Sequence, residues 1–176
     1  MKLTLETERL ILRPFRTEDA QEMFYGWAND HEVTKFLTWN THRDIEETKN
    51  ILRLWISEYE KPERLNFAIV LKDEVSLIGG IDVVGYLGGT GGTPVIGYNL
   101  SRKYWGNGYM TEACRCVIEY LFSRGYPEIR IDAMPENTAS IRVIQKCGGI
   151  FLQTDKDHFP LKDKTVSVNR YIVRKN

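Results

Sequence analysis

The feature that most constrains the fold of this chain is a glycine turn between a predicted strand and a predicted helix. Residues 95–100 are strand-like, and Gly106 and Gly108 follow them shortly before a helix predicted over residues 112–123. Two glycines let the backbone approach a ligand closely, and the first N–H groups of a helix have no partner inside it. Such a turn favours binding of a phosphate group. Isolated Gly-x-Gly patterns also occur in ordinary tight turns, so the prediction depends on the surrounding residues.

Composition is that of an ordinary globular protein. The 176 residues include 42% apolar and 27% charged side chains, which predicts one domain over residues 1–176 with a substantial core. The 24 basic and 24 acidic residues cancel, so no direct binding to nucleic acid is expected. The chain has no run of about 18 apolar residues, and its first residues lack the apolar region of a signal peptide. We therefore expect a cytoplasmic protein with no membrane association.

Cysteine and histidine usage argues against a disulfide framework or a metal site. The three cysteines, Cys114, Cys116 and Cys147, lack Cys-x-x-Cys spacing. Their odd number fits reduced thiols, and Cys114 lies on the apolar stripe of its predicted helix. The three histidines stand apart from one another and from the cysteines, so no metal ion is predicted.

Hydrophobic periodicity predicts a mixed α+β domain with the element order β-α-α-β-β-β-α-β-α-β-β. Helices are predicted after the candidate N-caps Thr17, Thr41 and Asn137, in addition to the helix over residues 112–123. The glycine-rich segment 85–94 is predicted to be a surface loop, with substrate gating as an alternative. The predicted strands lie within residues 9–15, 67–71, 77–84, 95–100, 129–134, 150–152 and 166–173.

The residues around the glycine turn resemble the acetyl-coenzyme A signature of the GNAT acetyltransferases. That signature is Gln/Arg-x-x-Gly-x-Gly/Ala, and the chain has Lys103-Tyr104-Trp105-Gly106-Asn107-Gly108-Tyr109, followed by Thr111-Glu112-Ala113. This stretch of sequence resembles that of the RimJ/RimL branch of the family. A second motif of that branch, Asn-x-x-Ser-x-x-x-x-x-Lys-x-Gly, matches residues 137–148, and residues 8–14 are typical of its start. The resemblance spans nearly the whole chain.

The resemblance implies a GNAT fold with acetyl-coenzyme A as the co-substrate. This α+β fold has a mixed, mostly antiparallel sheet of about seven strands with four helices. Its sheet is splayed between strands 4 and 5, and the cofactor enters the gap. The element order predicted above matches this fold.

The resemblance also implies which residues contact the cofactor. Backbone groups of Asn99 and Leu100 are expected to bind the pantetheine arm, and the N–H groups of residues 105–110 to surround the pyrophosphate. Asn137 and Ser140 are expected near the pantetheine and the thiol. The complete implied set is Asn99, Leu100, Lys103, Trp105, Gly106, Asn107, Gly108, Tyr109, Met110, Asn137, Ser140 and Lys146, the last near the nucleotide phosphates or ribose.

Three positions depart from the family pattern. Lys103 stands where the general signature has Gln or Arg, which matters little because the backbone is the main ligand. Gly149 follows Gly148 where many relatives have phenylalanine, and Phe151 stands two residues later. Ile144 takes the place of a tyrosine that protonates the leaving thiolate in some GNAT enzymes. The RimJ/RimL branch usually has an aliphatic residue there too, so the general acid must be another residue.

Ser140 is the residue that we predict to protonate the departing thiolate, because Ile144 has no proton to donate. Positioning of pantetheine or packing in the first helical turn is the alternative for Ser140. No general base is predicted. Glu112 is expected to stabilise the start of its helix, Asp82 is interpreted as a solvated strand residue, and Val95 stands where many relatives carry a glutamate.

Three residues are candidates to line the acceptor pocket: Trp39, His42 and Tyr104. Core packing is an equally good interpretation for Trp39 and Tyr104. For His42, a surface position beside the predicted cap Thr41 is favoured.

The resemblance implies an acyltransferase that moves an acetyl group from acetyl-coenzyme A directly to a primary amine. The acceptor is either a protein N-terminus, as in ribosomal proteins, or a small amine. One alternative is a module that binds or senses acyl-coenzyme A with little turnover, which the missing tyrosine and glutamate motivate. Another is a nucleotide-binding protein unrelated to acyl transfer. The sequence leaves open the acceptor and whether the chain forms a homodimer.

Overall fold

The chain folds around one mixed sheet. We describe it from a computed structural model that covers residues 3–61, 63–89 and 91–175, in which the sheet has eight strands. The strands are β1 (Leu5–Glu6), β2 (Leu10–Arg13), β3 (Asn66–Leu71), β4 (Ser76–Leu87), β5 (Thr93–Leu100), β6 (Glu128–Ala133), β7 (Ile150–Phe159) and β8 (Lys164–Arg174). Their order across the sheet is β1-β2-β3-β4-β5-β6-β8-β7. Only β5 and β6 pair in parallel among these strands.

The helices lie on both faces of the sheet. Within the described ranges they are α1 (Ala20–Met23), α2 (His31–Thr34), α3 (Ile45–Ser57), α4 (Tyr109–Ser123) and α5 (Thr138–Lys146). A π-helical turn, Phe24–Ala28, continues α1. The α+β class and the mostly antiparallel sheet are confirmed. The expected counts of about seven strands and four helices are slightly too low, because β1 and α2 are each too short to show a periodic pattern.

The sheet separates two hydrophobic cores. On one face, α4 and α5 cover the sheet, and Phe67 and Ile69 of β3 point into this core. On the opposite face, Trp27 and Leu52 from the helical segments pack with Ala68 of β3. Successive side chains of a strand point to opposite faces, so a strand covered on both sides is apolar throughout. We call these the α4 face and the α3 face.

The sheet separates between β5 and β6, as the resemblance implied for strands 4 and 5 of a sheet without β1. The two strands pair only at Val95 with Arg130 and at Ile96 with Ile131. Beyond Ile96, β5 continues to Leu100 with β4 as its neighbour, while β6 continues beside β8. The edges of β5 and β6 that face each other are therefore left open to a ligand.

The helix caps show where local prediction succeeded. The Asn137 side chain accepts a hydrogen bond from the Ser140 N–H at 3.2 Å, which confirms it as the cap of α5. Thr41 does not cap α3, since Asp44 accepts from the Glu47 N–H at 2.9 Å. Thr17 lies inside the first helical turn, which starts after Arg16. Both threonine predictions are wrong: Asp44 caps α3, and at the first turn the Asp19 carboxylate accepts the Arg16 N–H at 2.8 Å.

Half of the glycine-rich segment 85–94 is strand rather than loop. β4 extends to Leu87 and β5 begins at Thr93, so the connection is a short turn. Gly88 and Gly89 have φ values of 85° and 90°, which side chains rarely adopt. Substrate gating by this turn stays a prediction.

Glu112 fastens the start of α4 to the turn between β1 and β2. Its carboxylate accepts hydrogen bonds from the Thr7 hydroxyl at 2.6 Å, the Arg9 N–H at 2.9 Å and the Arg9 Nε at 2.7 Å. Burial raises the pKa of Glu112, but the hydrogen bonds from Thr7 and Arg9 outweigh it and leave the pKa lowered. This arrangement gives Glu112 a structural role at the helix start.

Glu112→Ala is expected to lower the free energy of unfolding by about 2 kcal/mol, because it removes charge-assisted hydrogen bonds to a partly buried carboxylate. For a chain of this size, thermal unfolding at pH 7 should shift down by about 4–8 °C. A lowered pKa in the folded state means that the contribution is full above the unfolded pKa of about 4.3 and is lost as pH falls through the folded value. The matched control is Glu119→Ala on the exposed side of α4. Equal melting temperatures for the two variants would contradict the role of Glu112.

Candidate active site

A cavity of about 480 Å³ lies where β5 and β6 separate. This volume is within the range of small-molecule sites. Aromatic side chains form much of its wall: Phe15, Trp27, Phe36, Trp39, Trp55, Tyr98 and Phe159. Its polar lining consists of Thr38, Asn66, Asp82, Asn99, Asp132, Asn137, Ser140 and Asp157. The cavity thus contains residues from both faces of the sheet.

The glycine turn presents a row of free backbone donors. Gly106 and Gly108 both have φ of 80°, and Gly108 directly precedes α4. Within the described residues, the N–H groups from Gly106 to Met110 have no hydrogen-bond acceptor. A hydrogen bond within the turn stabilises it, since the Asn107 side-chain amide donates to the Trp105 carbonyl at 3.1 Å. Free N–H groups at a helix start suit an anionic ligand such as a phosphate.

The Arg9 side chain contacts this turn, since its Nη1 donates to the Asn107 carbonyl at 3.1 Å. Lys103 is exposed and lies 3.9 Å from Glu74. The Arg115 guanidinium donates to the Lys146 backbone carbonyl at 2.6 Å, which joins the middle of α4 to the end of α5. Arg115 was not predicted from the sequence, because a single arginine on the exposed side of a helix carries no signal of its own.

The backbone of β5 faces the gap at alternate residues. The Ser101 N–H donates to the Ile78 carbonyl of β4 at 2.8 Å. Because hydrogen-bonded pairs alternate along an antiparallel ladder, Asn99 directs its backbone groups to β4, whereas Tyr98 and Leu100 direct theirs to the gap. The Leu100 carbonyl accepts from the Trp105 indole at 2.7 Å. Of the predicted pair, Leu100 therefore faces the gap with its backbone, and Asn99 instead lines the cavity.

Ser140 lies against a tyrosine that the sequence did not single out. The Ser140 and Tyr98 hydroxyls are 2.9 Å apart, and the Tyr98 hydroxyl is 3.3 Å from the Ser140 carbonyl. Burial raises the pKa of Tyr98 far above its usual value, so it remains a neutral hydroxyl. The two residues come from β5 and α5 on either side of the gap. Only the packing of α5 against the sheet brings them together, so sequence spacing carried no sign of the pair.

Of the two carboxylates considered from the sequence, only Asp82 lines the cavity. Glu112 is bound to Arg9 at the start of α4. Burial raises the pKa of Asp82 to about 6, against an opposing effect of Arg64, whose Nη1 lies 4.0 Å away. Asp82 is therefore only partly solvated, contrary to the interpretation from sequence.

The three acceptor-pocket candidates separate in the structure. Trp39 lines the cavity. His42 is buried rather than at the surface, since its Nδ1 lies 2.7 Å from the Thr48 hydroxyl and its ring packs on Trp39 with centroids 5.1 Å apart. Tyr104 lines a separate surface depression and donates to Glu74 at 3.0 Å.

The predictions about cysteines, metal sites and membrane spans concern parts of the structure other than the cavity. Cys114 is fully buried in the α4-face core, as predicted. No group of three or more His, Cys, Asp or Glu side chains in residues 3–61, 63–89 and 91–175 is arranged to hold a metal ion. Across the same residues, no helix has the length and apolar character needed to span a membrane.

Comparisons with known proteins agree with this architecture. A family model described as an acetyltransferase (GNAT) domain matches residues 9–150. An uncharacterized N-acetyltransferase, p20 of Bacillus licheniformis, is 33% identical over 145 residues, which cover 80% of this chain and 79% of that protein. A second, YoaA of Bacillus subtilis, is 31% identical over 147 residues, covering 82% and 81% of the two chains.

Solved structures share the fold over nearly the full length. A GNAT-family acetyltransferase from Bacillus anthracis has a TM-score of 0.83 at 26% identity and covers 98% of both chains. RimL, a ribosomal L7/L12 alpha-N-protein acetyltransferase, has a TM-score of 0.85 at 18% identity, with 99% of this chain and 96% of that chain covered. The acetyltransferase MccE, solved with acetyl-CoA and AMP, has a TM-score of 0.82 at 17% identity and coverages of 96% and 94%. With the family model matched over residues 9–150, this chain belongs to the GNAT acetyltransferase family and is an acetyltransferase.

Proposed function

We propose that this acetyltransferase moves an acetyl group from acetyl-coenzyme A to a primary amine by direct, sequential transfer. The observation that supports this proposal most strongly is the single cavity with Ser140 and Tyr98 at one side and Asp82 at the other. A donor entering between β5 and β6 and an acceptor arriving from the α3 face meet in that cavity. No covalent intermediate on the protein is needed. The whole chain, residues 1–176, acts as one catalytic domain in this proposal.

The gap and the glycine turn fit the parts of acetyl-coenzyme A. The pantetheine arm would lie along the open edge of β5, beside the backbone of Leu100 and the side chains of Asn137 and Ser140. The free N–H groups of residues 106–110 would hold the pyrophosphate, helped by roughly half a positive charge at the start of α4. Lys103 and Lys146 would add charge near the phosphates. The MccE structure, solved with acetyl-CoA, supports this choice of donor for the shared fold.

Ser140 would protonate the leaving group. As the amine nitrogen attacks the thioester carbon, the C–S bond breaks and the sulfur needs a proton. The free thiol has a pKa of about 8.5, so a nearby hydroxyl stabilises the thiolate and can protonate it. Tyr98, 2.9 Å from the Ser140 hydroxyl, is a second hydroxyl group from which the proton can be replaced.

The acceptor class is a primary amine, either a protein N-terminus or a small molecule. The name of RimL, which acts on ribosomal L7/L12, supports the first choice for a protein of the same fold. An N-terminal amine has a pKa of about 8 and is partly neutral at pH 7, whereas a lysine-like amine with a pKa near 10.4 needs more help from a base. We propose a cytoplasmic location, where acetyl-coenzyme A is made and used.

Thiol release from acetyl-coenzyme A tests the proposed function. The purified protein is mixed with acetyl-coenzyme A and a panel of small primary amines and N-terminal peptides. At least one acceptor is expected to release thiol at a rate well above that of the protein-free mixture. If the protein binds coenzyme A tightly and no acceptor in the panel gives release above background, the chain is instead a module that binds acyl-coenzyme A.

A further inference from the structure

Three polar residues form a patch on the α3 face of the sheet, beneath the cavity. Strand register places Asn66, Asp82 and Gly97 in one row across β3, β4 and β5. The next row is Ala68, Gly80 and Asn99. Directly opposed residues on one face of a sheet have Cβ atoms about 5 Å apart. Asp82 therefore lies directly opposite Asn66 and diagonal to Asn99.

The two glycines in these rows let other side chains pack directly against the sheet beside the polar groups. A Cβ atom at Gly97 would lie 2.8 Å from Val84 Cγ1 and 3.4 Å from Asp82 Oδ1. A Cβ atom at Gly80 would lie 3.1 Å from the Phe15 ring. The Phe15 ring and Val84 thus pack where these side chains would be, and a side chain at position 97 would crowd the Asp82 carboxylate.

Several residues that line the cavity carry a buried polar atom without a partner in the described structure. Within the described residues, Trp27 Nε1 and Asn66 Nδ2 are donors without an acceptor, and Asn99 Oδ1 is an acceptor without a donor. Asn66 is only 4% exposed. Buried polar groups in native proteins are almost always satisfied, so unpaired ones that line a cavity indicate a polar ligand or water there.

The charge of Asp82 is also incompletely matched. Arg64 lies 4.0 Å from Asp82 but closer, at 3.4 Å, to Glu58. The other acidic residues of the cavity are engaged: Arg170 donates to Asp132 at 2.8 Å and to both oxygens of Asp157. Asp82 is therefore the carboxylate in the cavity that has room for a cationic ligand.

On these grounds we propose that Asp82 binds the amino group of the acceptor and accepts its proton during transfer, with Asn99 as a second acceptor. This proposal rests on the proposed acetyl transfer. The donors Trp27 and Asn66 would bind an oxygen next to the amino group, and the aromatic walls would hold an apolar body. The acceptor class is then a primary amine with an adjacent hydroxyl or carbonyl oxygen and an apolar side group. N-terminal residues and amino alcohols share this chemistry.

The proton balance is complete with these groups. The amine nitrogen forms a bond to the thioester carbon, and the carbon–sulfur bond breaks. The proton leaving nitrogen goes to Asp82 and then to solvent, while sulfur receives the Ser140 hydroxyl proton, which solvent returns through the Ser140 and Tyr98 hydroxyls. Burial raises the pKa of Asp82 to about 6, with Arg64 opposing the shift, so the carboxylate is mostly ionised at pH 7 and is a stronger base than an ordinary aspartate.

Asp82→Asn tests the role of the carboxylate, because it keeps the shape of the side chain. We expect turnover to fall by about 100-fold or more, with coenzyme A affinity within about threefold of wild type. The acidic limb of the pH profile of kcat/KM, near pH 6 in wild type, should disappear in this variant. The matched control is Asp73→Asn in the exposed turn between β3 and β4, which should behave as wild type.

Gly97→Ala gives a second, independent variant. The added methyl group would intrude beside Asp82, and the exposed Val84 side chain can move to accept it, so the fold should persist. The KM for the amine should rise about tenfold or more, with coenzyme A binding unchanged. Gly85→Ala, whose Cβ would meet nothing within 4 Å, is the control.

Substrate comparison tests the acceptor class in the wild-type protein. Phenylalaninol and a peptide with N-terminal phenylalanine should both exceed phenethylamine, which lacks the oxygen, by about tenfold in kcat/KM after correction for the neutral fraction. A faster reaction with phenylalaninol identifies the natural acceptor as a small molecule, and a faster reaction with the peptide identifies it as a protein N-terminus. If wild type acetylates amines but Asp82→Asn keeps its rate and pH profile, or phenethylamine does as well as phenylalaninol, this inference is overturned while acetyl transfer stands. If wild type acetylates no amine, the proposed function itself fails.

Discussion

Gly106→Val is expected to weaken coenzyme A binding by about 100-fold or more while the protein still folds. Gly106 has φ of 80°, a conformation that a β-branched side chain does not tolerate without strain. Relief of that strain would turn the neighbouring N–H groups away from the pyrophosphate. Loss of two charge-assisted hydrogen bonds is enough for an effect of about this size.

The control for this variant must introduce the same backbone strain at a position outside the proposed pyrophosphate site. Gly88→Val is suitable, because Gly88 has φ of 85° and, like Gly106, would place its Cβ atom in open space. Titration calorimetry with coenzyme A measures the affinity, and thermal unfolding reports the stability of both variants. Similar melting temperatures with a large difference in affinity would locate the phosphate site at the turn. Wild-type affinity in Gly106→Val would show that the phosphates bind elsewhere.

Ser140→Ala is expected to lower kcat by about 100-fold, with acetyl-coenzyme A affinity changed by no more than about threefold. The Ser140 hydroxyl faces the cavity and is 2.9 Å from the Tyr98 hydroxyl, so its loss removes the proton donor nearest to the proposed thiol position. Tyr98→Phe should produce a smaller loss, because Ser140 remains. Steady-state kinetics with both substrates varied gives kcat separately from each KM.

Ser123→Ala is the matched control for the serine variant. Ser123 is exposed at the end of α4, and its hydroxyl donates only to the Tyr120 carbonyl at 2.7 Å among its hydrogen bonds in the described chain. This variant should have wild-type kinetics. A Ser140→Ala protein with unchanged kcat and weakened cofactor affinity would limit Ser140 to positioning the pantetheine.

Regular, periodic elements of the fold were predictable from the sequence. The stripe of Ala113, Val117 and Leu121 predicted α4, because a helix buries residues at spacings of three and four. The cap at Asn137 was also predictable, since its side chain acts on the neighbouring turn. Such features depend on residues close together in the chain.

Elements held by distant partners were not predictable. The strand β7 was expected only over residues 150–152, yet it continues to Phe159 through a run of exposed polar residues. It pairs with β8 along its length by backbone hydrogen bonds, which leave no hydrophobic pattern in the sequence. His42 was misplaced for a similar reason, because Thr48 and Trp39 enclose it only in the folded chain.

The two sides of the candidate site also differ in how far the sequence indicates them. The glycine turn and Ser140 carry motifs, so the donor side could be proposed from the sequence alone, and its residues stay predictions. The acceptor side depends on register across β3, β4 and β5, which brings Asn66 and Asp82 into one row from positions far apart in the chain. A single polar residue in each strand gave no sign of this patch.

A single-turnover measurement of thiol release tests direct transfer most sharply. The protein, in excess over acetyl-coenzyme A, is observed first without an amine and then with the best acceptor of the panel. We expect thiol to appear only when the amine is present, since the amine attacks the thioester bound in the gap between β5 and β6. Stoichiometric thiol release without any amine, with the acetyl group found on the protein by mass spectrometry, would reveal an acetylated protein intermediate and would contradict direct transfer.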